Sequence, residues 1–217
     1  MLLAPNQKTN TSKEFKIVPP GSHLVRFFKY VDCGTHIDEG TKIRENKIKY
    51  VHKVMFFFEF HGEDAQGQPL ATDDGKPLVL VKFINLTTHE KGTLARLLKS
   101  WLNVDISVEP LELSSLLGKF ALAAVSNYVD KSNETKASID NLSPVPNIYL
   151  KAGLPEGFNP VDSFDFEKFD SEKFNALSDK MKAWLSKSPE YRAVTGQKEQ
   201  SQLKNSITMM CRFKGLP

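Results

Sequence analysis

The 217 residues are 40% hydrophobic and 25% charged, a balance that supplies a core and excludes both wholesale disorder and a collagen-like repeat. No apolar run approaches the ~20 residues of a membrane-spanning helix. Residues 1–20 lack the apolar stretch of a secretory signal, and Cys33 and Cys211 are too few for a disulfide framework, so the expected compartment is the cytoplasm. The net charge of +3 is unevenly spread: residues 1–53 hold ten basic residues against five acidic ones, residues 155–180 are acid-rich, and the end from Trp184 is basic again. A polyanion is expected at the front of the molecule, with the acidic stretch competing for it.

Residues 1–20 read as an N-terminal arm, closed by Pro19-Pro20-Gly21. Leu24–Gly34 is rich in aromatic and β-branched residues and reads as a first strand. Tyr50–His61 is a second strand: Val54, Phe56, Phe58 and Phe60 share one face, and Lys53, Met55, Phe57 and Glu59 the other. The polar segment 62–76 turns the chain into a third strand, Pro77–Leu86. Leu94, Leu97, Leu98, Trp101 and Leu102 then recur at helical spacing, with Thr88 as the expected N-cap and a short turn of helix over 111–117. Lys119–Asp130 and Glu134–Leu142 are the fourth and fifth strands. This order predicts a mainly β fold, a five-stranded OB (Greek-key) barrel over residues 21–150 with a helix between strands 3 and 4.

Ser143-Pro144-Val145-Pro146 breaks the sheet, and the prolines and glycines over 153–160 read as a linker. A C-terminal extension, residues 151–196, alternates acids with Phe164, Phe166, Phe169 and Phe174, takes helical spacing to Leu185, and starts a last short helix near Ser188-Pro189-Glu190. Residues 197–217 form a basic tail.

Catalytic constellations are missing from the sequence. The glycines have neither phosphate-loop nor dinucleotide spacing, the five histidines are scattered, and no Gly-x-Ser-x-Gly elbow occurs. Neither an enzyme, a metal nor a cofactor is expected. Asp64, Asp73, Asp74 and Lys76 come nearest to a magnesium-dependent nuclease site, but they are also ordinary turn residues.

Nucleic-acid binding demands less geometry: cations along a groove and aromatic faces for bases. Strand alternation sets Arg26, Phe28 and Tyr30 opposite the presumed core residues Val25, Phe27 and Val31. Lys53 and Phe57 on the second strand, Lys82 on the third and Tyr128 on the fourth extend this set, and Lys47 and Lys49 belong to the basic loop before the second strand. Phe83 is grouped with the core.

The segments GSHLVRFFKYVDCGTH, HKVMFFFEF, HEKGTLARLLKSWLN, LLGKFALAAVSNYVDKSNETKASIDNLSPVP and SPEYR resemble, between Pro20 and Arg192, bacteriophage single-stranded-DNA-binding proteins of the OB-fold type. The resemblance implies a non-catalytic protein of the host cytoplasm that coats single strands during phage replication or recombination, without strong sequence preference. It also implies replication proteins as partners through the acidic segment, here the internal residues 162–172 rather than a tail. Self-association stays open, as does the alternative of a protein–protein adaptor that binds no nucleic acid.

Overall fold

In a computed structural model the described residues are 16–40, 45 and 47–196. Strand β1 (Gly21–Ile37) is the spine of the fold, and its long run of aromatic and β-branched residues lets it pair on both sides. It runs antiparallel to β2 (Tyr50–His61) along nearly its whole length. Its first half pairs with β4 (Phe120–Val129), and its second half takes a short parallel strand, β6 (Asp162–Phe164). With β3 (Val79–Asn85) beyond β2 and β5 (Thr135–Ser143) beyond β4, the path is β3-β2-β1-β4-β5. The sheet is not closed by a ladder, although β3 and β5 lie side by side and Lys82 Nζ donates to the Ile139 carbonyl across the gap.

Two irregularities in the β1–β2 register, at Phe27/Lys29 and at Asp32/Gly34, decide which side chains go where. An extra residue in one strand reverses the facing of everything beyond it. Val25 and Phe27 point into the main core, and past Phe28 the parity flips: Tyr30 enters that core, while Val31 and Cys33 turn to the opposite side. The uninterrupted alternation expected from the sequence is therefore corrected at Phe28, and Tyr30 and Val31 exchange faces.

The main core holds the expected Val54, Phe56, Phe58 and Phe60, with Phe27 and Phe56 4.7 Å apart at their centroids. Helix α1 (Thr93–Leu102) closes it with Leu94, Leu97, Leu98 and Trp101, and the Trp101 indole N–H donates to the Phe120 carbonyl at 2.9 Å. The N-cap is Gly92 rather than Thr88, because a turn closed by the Gly92 N–H on the His89 carbonyl at 2.7 Å precedes the helix. A 3-10 turn at Leu113–Leu116 buries Leu116 beneath it.

The opposite face of the sheet is covered by residues of the C-terminal extension. Phe164, Phe166, Phe174, Leu177 and Leu185 form a second core with Val31, Cys33 and Met55. The single helical stretch expected over 174–185 is split into α3 (Ser171–Asn175) and α4 (Asp179–Leu185), because Asp170 and Ser178 each cap a separate helix through backbone N–H groups. Ser188 does the same for α5 (Pro189–Val194), with Pro189 in its first turn. Just before the expected linker lies a further short helix, α2 (Asn147–Ala152), that buries none of its residues. Among the described residues no helix is long and apolar enough to cross a membrane.

Candidate nucleic-acid interface

The face expected to meet nucleic acid is occupied by the protein itself. Arg26 Nη1 donates to Glu59 Oε1 at 3.0 Å and to the Asn159 carbonyl at 2.9 Å. Glu59, fully buried, also accepts from the Phe158 and Asn159 N–H groups, from Asn159 Nδ2 and from His61. Burial pushes the Glu59 carboxyl up, and these donors, Asn159 foremost, outweigh it and hold the group below its ordinary range. Gly157 passes so close that a Cβ there would sit 1.8 Å from Arg26 Nη1. The backbone of 157–159 thus lies against the arginine that alternation assigns to solvent.

Phe28 is buried at the bulge, edge-on to Phe57 at 6.3 Å, and Phe57 is half-buried against the second core. Tyr30 is a core residue, and burial raises its hydroxyl pKa. Lys82 shares a face with Leu80 and Ile84, as expected, but that face is the inner one, and its ammonium is tied to Ile139 O. Burial lowers the Lys82 pKa. Phe83 is accordingly on the outer face and 60% exposed, not in the core. Tyr128 is half-exposed at the far end of β4, past the start of β1. Lys47 and Lys49 are exposed, and Lys53 is half-buried. Lys42 and Arg44 of the same loop, and the tail 197–217, lie outside the described residues.

What the fold brings together is a cleft of about 550 Å³ where β1 ends and β2 begins. The strands contribute Thr35, His36, Ile37, Tyr50 and Lys53; Trp184, Lys187, Pro189 and Arg192 come from α4, α5 and the turn between them; Glu39 is on the rim. The His36 ring stacks on the Trp184 indole, 4.3 Å and 15° apart, while its Nε2 donates to the Cys33 carbonyl at 2.8 Å. Burial lowers the His36 pKa, favouring the neutral ring. Phe83 and Trp184 meet edge-on, 5.9 Å apart at their centroids, and Tyr50, 66% exposed, follows directly on Lys47 and Lys49. The cleft thus holds the exposed Tyr50 ring and the stacked His36–Trp184 pair beside Lys53, Lys187 and Arg192.

α5 is locked in place behind this cleft. Glu190 accepts from Thr35 N at 2.8 Å and Thr35 Oγ1 at 2.6 Å. His52 Nε2 is 2.5 Å from Asp32 Oδ1, and its Nδ1 is 3.8 Å from Glu190. The Asp32 hydrogen bond raises the His52 pKa. Gly34, at the second bulge with φ 72°, lets Glu190 and Ser188 approach: a Cβ there would be 2.7 Å from both.

Of the expected set, Lys53 lines this cleft and the exposed Lys47 and Lys49 precede Tyr50 in the chain, whereas Arg26, Phe28, Tyr30 and Lys82 are committed elsewhere. Sequence reading missed His36, Tyr50, Phe83, Trp184, Lys187 and Arg192. The basic run after Trp184 was the available signal, but nothing in the chain tells which strand end it joins. The hairpin-tip acids are engaged in turns: Asp64 accepts from Gln66 N and Gln68 N, Asp74 pairs with Lys76 at 2.7 Å, and Asp73 pairs with Lys16 at 3.2 Å. Among the described residues no group of three or more His, Cys, Asp or Glu is arranged to hold a metal ion. Compared with known proteins, the chain matches no family model, no curated protein and no solved structure.

Proposed function

We propose that this protein binds single-stranded DNA without strong sequence preference, as a non-catalytic coat for phage replication or recombination intermediates. The observation that carries the reading is the cleft in which the exposed Tyr50 ring and the stacked His36–Trp184 pair lie among Lys53, Lys187 and Arg192, with exposed Phe83 edge-on to Trp184. Stacking on such rings tolerates any base, and the cations neutralise the phosphate backbone. Lys47 and Lys49 extend the basic track along the loop between β1 and β2.

We read the sheet as an OB-type barrel. In support, the path β3-β2-β1-β4-β5 brings β3 back beside β5, the Lys82–Ile139 bond spans the seam, and α1 between β3 and β4 packs beneath both edges. In this reading the extension is a wall of the binding cleft. Partner contact through residues 162–172 then rests on Glu167, Asp170 and Glu172, since Phe164 and Phe166 are buried in the second core.

The test is fluorescence anisotropy of a labelled oligo-dT titrated with the protein at low and moderate salt, beside a matched duplex. Salt-sensitive binding of the single strand, weakened by Tyr50→Ala and Lys187→Ala, is expected. Absence of binding at low salt overturns the reading and leaves the adaptor alternative.

A further inference from the structure

On the other side of α5 lies a second groove, of about 680 Å³. One short helix separates the two, and its faces are sorted: Pro189 and Arg192 line the basic cleft, whereas Glu190, Ala193 and Val194 line this groove. Leu86, Leu111, Leu113 and Phe166 give it an apolar lining, and Glu112, Asp165 and Glu167 an acidic rim. Asp32 and Glu190 add two further carboxylates, already bonded to His52 and Thr35, and Lys168 is the lysine on the rim. A polyanion is repelled by such a rim. A segment with cations around apolar side chains is attracted, the charges steering it and the apolar floor holding it.

We propose that this groove receives the protein's own C-terminal segment, residues 197–217. The described chain stops at Gly196, two residues beyond Val194 on the groove wall, so the segment begins at the groove. It carries Lys198, Lys204, Arg212 and Lys214 against Glu199, a net +3 facing an acidic rim. Ile207, Met209, Met210 and Phe213 match the apolar lining, and the ten residues before Ile207 span up to roughly 35 Å, ample reach. The N-terminal segment, residues 1–15, is the weaker match: it starts beyond the far end of β2, where Lys16 pairs with Asp73, and brings only Lys8 and Lys13 against Glu14 to the acidic rim. This inference does not depend on DNA binding.

The native thiols allow a direct test on the full chain. Cys33 is buried with its pKa pushed up to about 12, so a nitroxide reagent at neutral pH modifies Cys211. Amide signals of Leu113, Glu167 and Val194 are expected to lose most of their intensity through paramagnetic broadening, while those of Gly67 and Gly75 in the distant turn keep theirs. The double variant Glu112→Lys/Glu167→Lys, changed at two exposed positions, is expected to abolish the effect, as is high salt. Uniform broadening, or broadening centred on Tyr50 and Lys53, overturns the proposal. So does broadening that persists at full strength when spin-labelled unenriched protein is mixed with unlabelled enriched protein, because that identifies a second copy as the occupant. In the unlabelled full chain the same double variant must shift the amide signals of residues 204–214; unchanged positions there overturn it independently of the label.

Discussion

Arg26 and Glu59 meet at 3.0 Å in the interior, one from β1 and one from β2, and the backbone of residues 157–159 closes over both. This pair fastens the extension to the sheet, so a cation that alternation assigns to solvent instead holds two layers together.

Removing that cation leaves the Glu59 carboxylate buried without its charge partner. Arg26→Ala is expected to cost about 3–5 kcal/mol in urea unfolding. Gly157→Ala, whose Cβ would collide with the guanidinium, is expected to lower stability through the same contact. Unchanged midpoints in both variants would contradict the anchoring role.

Phe28, which alternation assigns to the nucleic-acid face, is buried, and the exposed Tyr50 takes its place in the proposed cleft. Phe28→Ala removes a buried ring and is expected to cost roughly 3 kcal/mol of stability. Tyr50→Ala, at an exposed position, is expected to leave stability within about 0.5 kcal/mol and to weaken oligonucleotide binding by ~1–3 kcal/mol. Paired denaturation and anisotropy titrations on both variants separate the two roles.

Salt dependence separates contact cations from structural ones. Lys53→Ala, Lys187→Ala and Arg192→Ala are each expected to reduce the slope of log affinity against log salt by about 0.7. Lys82→Ala is expected to leave that slope unchanged, because its ammonium is bonded to Ile139 O. Equal slopes for all four would remove the cleft from consideration.

The lock on α5 is pH-sensitive through His52. Its pKa is raised by the Asp32 hydrogen bond in the folded state, so its contribution is complete below the unfolded value of about 6.5 and is lost as pH rises through the folded value. His36 opposes it: burial lowers its pKa, and its contribution is lost as pH falls. The carboxyl of Glu190 is pushed up by burial but held below its ordinary value by the Thr35 donors, and its contribution also fades towards acid. The stability of the unmodified protein minus that of His52→Gln is therefore expected to shrink between about pH 6 and pH 8 in thermal melts. A difference that grows over that range would reverse the assignment.

Gly34 is required twice, for its φ of 72° and for the close approach of Ser188 and Glu190. Gly34→Ala is expected to loosen α5 from β1 before the main core is affected. Faster hydrogen exchange at Tyr191 and Arg192, with Phe56 and Phe58 still protected, is the measurement.

Most elements of the sheet were legible because their signals are local. The period-two run Val54–Phe60 and the three-four spacing of Leu94–Trp101 each require one buried face, and β2 and α1 bury those residues. The bulge at Phe28 was not legible. An inserted residue leaves the hydrophobic pattern of LVRFFKYV intact while reversing its facing, and only the β2 register reveals it. Phe83 and Lys82 were misassigned for a related reason: on a strand at the sheet edge, a long lysine can lie inward and carry its ammonium to a carbonyl across the seam, leaving the aromatic outside.

By itself the sequence determined the order of the five main strands, the position of α1, the phenylalanine core and the basic character of both the front of the chain and its end, since periodicity and charge are properties of neighbours in the chain. Only the tertiary structure decided that the extension covers the face of Val31, Cys33 and Met55 and closes over Arg26, that Trp184, Lys187 and Arg192 meet Tyr50 and Lys53 in one cleft, and that α5 parts a basic cleft from an acidic groove. Those pairings join residues more than a hundred positions apart, and they are selected by burial of Phe164, Phe174 and Leu185 against β1, which leaves no periodic trace in either partner.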